Sequence, residues 1–275
     1  MSETGLRVVR GIEVTLHSGG SGEPLVYLHS ASGEAASWIA PLEALAARFH
    51  VYAPVHPGFP GSRGIERIDH IQDLALHYVD LLNDLELERA HLVGSSLGGW
   101  IAAEVASLWP ERVATLTLVD SAGLWLDEAP PEEIFGVKGD VLAERLFHDQ
   151  SNPVAQMLRA SVNARPEDLP EEFLVGFFQS TEATARVAWN PYLHNPALAA
   201  RLDRVTSPAL VVWGENDRLI PLAYAKRFRD LLTHAAGGAR LVTLPRCGHL
   251  PVLEQPEALV REIYAFVEQH PISRR

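Results

Sequence analysis

The chain has 275 residues, 47% of them hydrophobic, and a formal net charge of −12. That size allows one large buried core, and the acidic balance argues against nucleic-acid and membrane-surface partners, because like charges repel phosphate. A single cysteine, Cys247, excludes an internal disulfide and a cysteine-based metal site, and no segment approaches the roughly 20 apolar residues of a membrane span. Arg7 to Leu16 is rich in β-formers and ends at the glycine and serine punctuation of residues 17–22. Pro24 to His29 is a short apolar run, as expected of a strand buried on both faces. Ala36 to Phe49 has helical periodicity, Val51 to Val55 is a second buried strand, and Asp69 to Asp84 repeats apolar residues at helical spacing. Ala90 to Gly94 predicts a strand, Leu97 to Leu108 a helix and Ala114 to Val119 a strand. The alternation resumes with a strand over Pro208–Trp213, a helix over Ala223–Leu232, a strand over Arg240–Leu244 and a helix over Pro256–Glu268. Ile272 to Arg275 reads as a frayed end.

Strands alternating with helices predict an α/β fold, a mostly parallel sheet with helices on both faces. Residues 122–201 interrupt it. They show no buried strand, and their helical pieces are broken at Pro130-Pro131, Asn152-Pro153, Pro166, Pro170, Asn190-Pro191 and Asn195-Pro196. This segment reads as a helical insertion into a core made of residues 1–121 and 202–275. The acidic, proline-rich stretch from Asp127 to Glu133 reads as a solvated loop.

Gly94-Ser95-Ser96-Leu97-Gly98 has the pattern Gly-x-Ser-x-Gly between a predicted strand and a predicted helix. In that context the serine sits on a strained turn, and the flanking glycines avoid a clash. Ser96 is therefore the candidate nucleophile. Serine needs a base, and His249 follows the last predicted strand, where parallel sheets place their sites. His29 and His56 sit at strand ends nearby and are expected to shape the pocket. The base needs a carboxylate to orient it. Asp217, after the strand ending at Trp213, takes that role, with Asp120 at the end of Leu116–Val119 as the alternative. Developing negative charge needs two N–H donors, assigned to Leu97 and to Ala31, with Ser30 as the alternative to Ala31.

Taken together these motifs resemble the α/β-hydrolase superfamily. His29-Ser30 stands where that family has His-Gly, and Pro57-Gly58-Phe59-Pro60-Gly61-Ser62 is similar to another of its loops. Trp213 to Pro221 resembles its acid loop and Gly248 to Glu257 its histidine loop. The resemblance implies an α/β-hydrolase fold: a mostly parallel central sheet of about eight strands, with a helical cap inserted after strand six. It also implies a serine hydrolase with the chain order Ser96, Asp217, His249, needing no metal or organic cofactor. The first expectation is a small-molecule carboxylic ester as substrate, for a cytoplasmic monomer or homodimer. The alternatives are a lactone or a ring-opened aromatic product cleaved at a carbon–carbon bond, and a hydrolase-like receptor with little turnover. Enzymes that cleave carbon–carbon bonds often carry Asn before the nucleophile and Trp after the base, where this chain has Ser95 and Leu250. Expected pocket residues are Ser30, Leu124, Trp125, Phe177, Trp189 and Leu250.

Overall fold

In the computed structural model, which describes residues 2–272, the apolar runs form one eight-stranded sheet. Its strands are β1 (Glu3–Val9), β2 (Ile12–Gly19), β3 (Pro24–Leu28), β4 (His50–Pro54), β5 (Ala90–Ser95), β6 (Val113–Val119), β7 (Ala209–Gly214) and β8 (Ala239–Leu244). They lie in the order β1-β2-β4-β3-β5-β6-β7-β8. β2 runs antiparallel to both of its neighbours, and β4 through β8 are parallel. Every residue of β5, β6 and β7 is buried, because helices cover both faces, and this explains their lack of polar alternation. One apolar core packs under α2 (Ile71–Asp84) and α3 (Leu97–Leu108), the other under α1 (Ala40–Ala46). The fraying expected beyond Ile272 lies outside the described residues.

Two local expectations change. The β-rich stretch from Arg7 to Leu16 is a hairpin whose turn falls at Arg10 and Gly11, both with positive φ (48° and 81°). Such a two-residue turn favours Asn-Gly or Asp-Gly, and Arg10 gave no signal of it. The helix expected over Ala36–Phe49 is shortened to Ala40–Ala46, with Pro41 in its first turn and a separate 3₁₀ turn at Glu34–Ala36 before it. Proline at the start of a helix costs no hydrogen bond, so the helix begins there.

Between β6 and β7 the chain forms α4 (Gly139–Leu146), α5 (Pro153–Ser161) and α6 (Glu171–Ala188). Among the described residues, strand pairing in this segment is limited to a single bridge between Gly123 and His194. The rest of the chain adds α7 (Ala223–Leu231), the short α8 (Pro251–Glu254) and α9 (Pro256–Val267).

The sheet order reverses between β3 and β5, since β4 lies on one side of β3 and β5 on the other. Loops leaving the carboxyl ends of two such strands diverge and leave a crevice. The loops after β3, β5, β6, β7 and β8 all open at this end.

The helical segment returns to the core through a buried charge. Glu104 on α3 is fully buried and accepts hydrogen bonds from Trp100 Nε1 (3.2 Å) and Asn195 Nδ2 (2.7 Å) and pairs with Arg201. Removing one partner of a buried pair strands the other charge. Arg201→Ala is therefore expected to lower unfolding free energy by about 3 kcal/mol, measured by urea denaturation. A loss below about 1 kcal/mol would show that solvent already screens Glu104.

Candidate active site

β5 ends at Ser95 and α3 begins at Leu97, so one residue makes the turn. Ser96 takes φ 51° and ψ −110°, a strained conformation for a residue with a side chain. The turn fits only because its flanks are glycine. A Cβ on Gly94 would stand 2.2 Å from the carbonyl oxygen of Gly98, and a Cβ on Gly98 would stand 2.0 Å from that of Leu28. The backbone of Ser96 is fixed by its N–H donating to Val119 O (2.9 Å) and by its carbonyl accepting from Trp100 and Ala122.

His249 Nε2 lies 2.8 Å from Ser96 Oγ, and its Nδ1 lies 2.8 Å from Asp217 Oδ2. A carboxylate only accepts, so Nδ1 carries the proton and Nε2 is left to accept from the serine hydroxyl. Asp217 Oδ1 accepts from the N–H groups of Leu219 (2.8 Å) and Ile220 (2.9 Å), which fixes the carboxylate plane. All three side chains are at least nine-tenths buried. The loops after β7 and β8 approach so closely that a Cβ on Gly214 would stand 2.1 Å from Gly248 O.

Asp120 lies beside this array without joining it. Its Oδ1 accepts from Gly214 N–H (2.9 Å), and its buried Oδ2 has no partner among the described residues. Polar atoms of Asp120, Asp217 and His249 all lie within 4.8 Å of one another. Burial, and next the negative charge of Asp217, push the Asp120 carboxyl well above the usual range, which favours its neutral form. Of the two candidate carboxylates, Asp217 is the one at His249 Nδ1. Cys247, two residues before the base, is buried, and burial pushes its thiol up, so the reactive thiolate form is disfavoured.

The turn after β3 discriminates among the candidate donors. Ser30 N–H donates to Glu34 Oε1 (2.9 Å), Ser32 N–H to Ser30 Oγ (3.1 Å) and Gly33 N–H to Ser30 O (3.1 Å). The Ala31 and Leu97 N–H groups have no acceptor among the described residues, and both residues line the same cavity as Ser96. His29 and His56 support the loop from below. His29 Nε2 accepts from His56 N–H (2.9 Å), so its Nδ1 donates to Ser30 O (2.7 Å). Burial lowers both imidazoles below the ordinary histidine range, so this neutral arrangement holds.

The cavity over Ser96 measures about 310 Å³. Of the expected pocket residues, Ser30, Phe177 and Leu250 line it. Leu124, Trp125 and Trp189 do not. Gly123 (φ 114°) exchanges backbone hydrogen bonds with Leu193 and Asn195, which turns the chain away from the site. Leu124 is buried, and Trp125 packs on His194 (5.2 Å); both line a separate cavity of about 480 Å³ with Glu128 and Arg227. Trp189 follows the end of α6, is 61% exposed, and packs on the outside of Phe135 (5.2 Å between rings), which itself lines the cavity. The lining that the sequence did not single out includes Leu142 and Leu146 of α4 and Met157 and Leu158 of α5. Their four-residue and adjacent spacings mark apolar faces, but nothing local says which cavity those faces meet. Among the described lining residues the ionisable ones are Glu172, exposed at the rim, and His249.

Residues 25–262 match the model of the alpha/beta hydrolase family, and the chain belongs to that family. It is 31% identical to a dihydrolipoyllysine-residue acetyltransferase component of an acetoin cleaving system from Pseudomonas putida, over 98% of this chain and 69% of that one. It is 27% identical to a 2-hydroxy-6-oxo-6-phenylhexa-2,4-dienoate hydrolase from Comamonas testosteroni, over 91% of this chain and 89% of that one. It is 29% identical to a pimeloyl-[acyl-carrier protein] methyl ester esterase from Nitrosomonas europaea, over 90% of this chain and 96% of that one. No helix among the described residues is long and apolar enough to cross a membrane.

The two carboxyls can be separated by substitution. Asp217→Asn removes the acceptor that sets the histidine tautomer, and kcat is expected to fall by about 10⁴-fold. Asp120→Asn exchanges one neutral acceptor for another toward Gly214 N–H, and kcat is expected to stay within about tenfold. The reverse ranking in steady-state ester hydrolysis would make Asp120 the orienting acid.

Proposed function

We propose that this hydrolase cleaves uncharged carboxylic esters through an acyl-enzyme on Ser96. The observation that carries the reading is a hydrogen-bonded Ser96–His249–Asp217 array beneath an apolar cavity that offers no cation among its described lining residues.

In this reading Ser96 Oγ attacks the ester carbonyl carbon while its proton passes to His249 Nε2. The imidazolium so formed is stabilised by Asp217. The carbonyl oxygen takes the negative charge and is held by the N–H groups of Leu97 and Ala31, at the start of α3 and in the β3 turn. Collapse expels the alkoxide, which takes the proton from His249. Water, deprotonated by the same nitrogen, then attacks the acyl-enzyme, and the acid leaves as Ser96 regains its proton. Residues 122–201 act as a cap that supplies apolar walls and excludes bulk water.

Carbon–carbon cleavage is the second reading, favoured by the names of several relatives. A dienoate carries a carboxylate. Placing that charge in an apolar cavity without a cationic partner is costly, whereas an ester presents no charge to desolvate. Lactones share the ester chemistry and follow from the same array.

The test is a panel of p-nitrophenyl esters of increasing chain length beside a 2-hydroxy-6-oxo-dienoate. The short and medium esters are expected to turn over faster by kcat/KM. Ser96→Ala is expected to reduce kcat by about 10⁴-fold or more. Faster dienoate cleavage would transfer the assignment to the second reading, and unchanged ester turnover in Ser96→Ala would remove the nucleophile.

A further inference from the structure

We infer that Glu34 is a positioning residue for the oxyanion site, holding the β3 turn so that the Ala31 N–H alone faces Ser96. The inference rests on the acyl-enzyme reading and adds a residue to it. Glu34 begins the 3₁₀ turn that follows Gly33, four residues after Ser30. Its Oε1 accepts from Ser30 N–H (2.9 Å) and Tyr27 O–H (2.9 Å). Its Oε2 accepts from the hydroxyls of Ser30 (2.6 Å) and Ser32 (3.0 Å). A carboxylate has about four acceptor directions, so these donors saturate it.

Each bond has a consequence for the turn. With Ser30 N–H engaged by Glu34, that amide is withdrawn from the cavity. With the Ser30 hydroxyl proton drawn to Glu34, the Ser30 oxygen is left to accept from Ser32 N–H, at 3.1 Å. Gly33 N–H closes the turn onto Ser30 O. Three of the four amides from Ser30 to Gly33 are thereby satisfied, two of them through Glu34. The remaining one, Ala31 N–H, is the donor available to an oxyanion. Serine at position 30 becomes intelligible here: a glycine would supply the amide but not the hydroxyl that joins Glu34 to the Ser32 N–H. Tyr27 belongs to β3 itself, so the carboxylate also ties the turn to the strand that rests against α3.

A group that only stabilised the fold would lower melting temperature without changing the kcat-to-KM balance. A group that aims an oxyanion donor acts on the transition state alone. In Glu34→Ala, kcat for a p-nitrophenyl ester is expected to fall by about 10- to 100-fold with KM within about threefold. Affinity for an aryl trifluoromethyl ketone, whose adduct with serine carries an oxyanion, is expected to fall by the same factor. Glu34→Gln keeps an acceptor for Ser30 N–H and is expected to restore kcat to within about fivefold of the parent. Ser30→Ala, which removes the acceptor of the Ser32 N–H, is expected to lower kcat by about fivefold at constant KM, and it decides the matter if Glu34→Ala does not fold. Full kcat in Glu34→Ala, or in Ser30→Ala where the former is unfolded, would overturn the inference. So would a kcat loss in Glu34→Ala with ketone affinity intact. If the parent protein is labelled by a serine-directed phosphonate and turns over esters while the variants match it, only the role of Glu34 falls. If the parent is neither labelled nor inhibited by the ketone, the acyl-enzyme reading falls with it.

Discussion

One tight passage governs the site: the chain leaves β5 and enters α3 with a single residue between them. The strain at Ser96, φ 51°, is tolerated because the surrounding backbone determines it from three sides, through Val119, Trp100 and Ala122. The same passage brings α3 so close to β3 that only a glycine fits at position 98 against Leu28 O. That contact brings together two loops whose Ala31 and Ser96 are 65 positions apart in the sequence, at the point where the sheet order reverses. The hydroxyl of Ser96 and the amide of Ala31 face one cavity because two strands are neighbours there. Neither loop could be moved without displacing the other.

The electrostatics of the buried array are arranged to hold few charges. Asp217 accepts three hydrogen bonds and has Asp120 close by, and two carboxylates so near cannot both ionise at low cost. The one with fewer donors, Asp120, has its carboxyl shifted upward, toward the neutral form. His29 and His56 stay neutral beneath the neighbouring loop for the related reason that burial disfavours the imidazolium. When charge develops during acyl transfer, it would do so among fixed dipoles in a region of low dielectric, where backbone N–H groups act strongly.

The sequence made some of this legible and hid the rest, for physical reasons. The strands β3 to β7 are short apolar runs because both faces of the sheet are covered, and that composition is visible without a fold. Ser96 is visible because its turn demands glycine on both sides. Asp217 and His249 follow strands of the same sheet, so their positions come with the topology. Leu124, Trp125 and Trp189 do not line the cavity, because which side chains of the helical segment reach it depends on how α4, α5 and α6 dock. A backbone detour at Gly123 also reverses the direction that chain proximity suggested. Glu34 and Glu254 were missed because their roles lie in accepting backbone N–H groups, and a glutamate of that kind has the same local pattern as one in solvent.

Glu254 shows how the helical segment between β6 and β7 and the His249 loop are joined. Its Oε1 accepts from Gly248 N–H (2.7 Å), and its Oε2 accepts from the N–H groups of His148 (2.9 Å) and Asp149 (2.8 Å), just beyond α4. His249 N–H itself donates to Leu146 O (2.8 Å), in the last turn of α4. The loop that carries the His249 imidazole is thus hydrogen-bonded to the helical segment at the histidine itself and again at Glu254. Leu146 also lines the cavity, so the end of α4 touches substrate space with its side chain and the base loop with its carbonyl. Displacing the α4 end of this segment as a rigid piece would break the Leu146 and Glu254 bonds together and free His249 from its position beside Ser96. Lifting α6, which is tied to the core at Ile68 and Asp69 through Arg186, would break none of them. A displacement on the α6 side, where Phe173, Phe177 and Glu172 line the cavity, would leave the Ser96–His249–Asp217 hydrogen bonds in place.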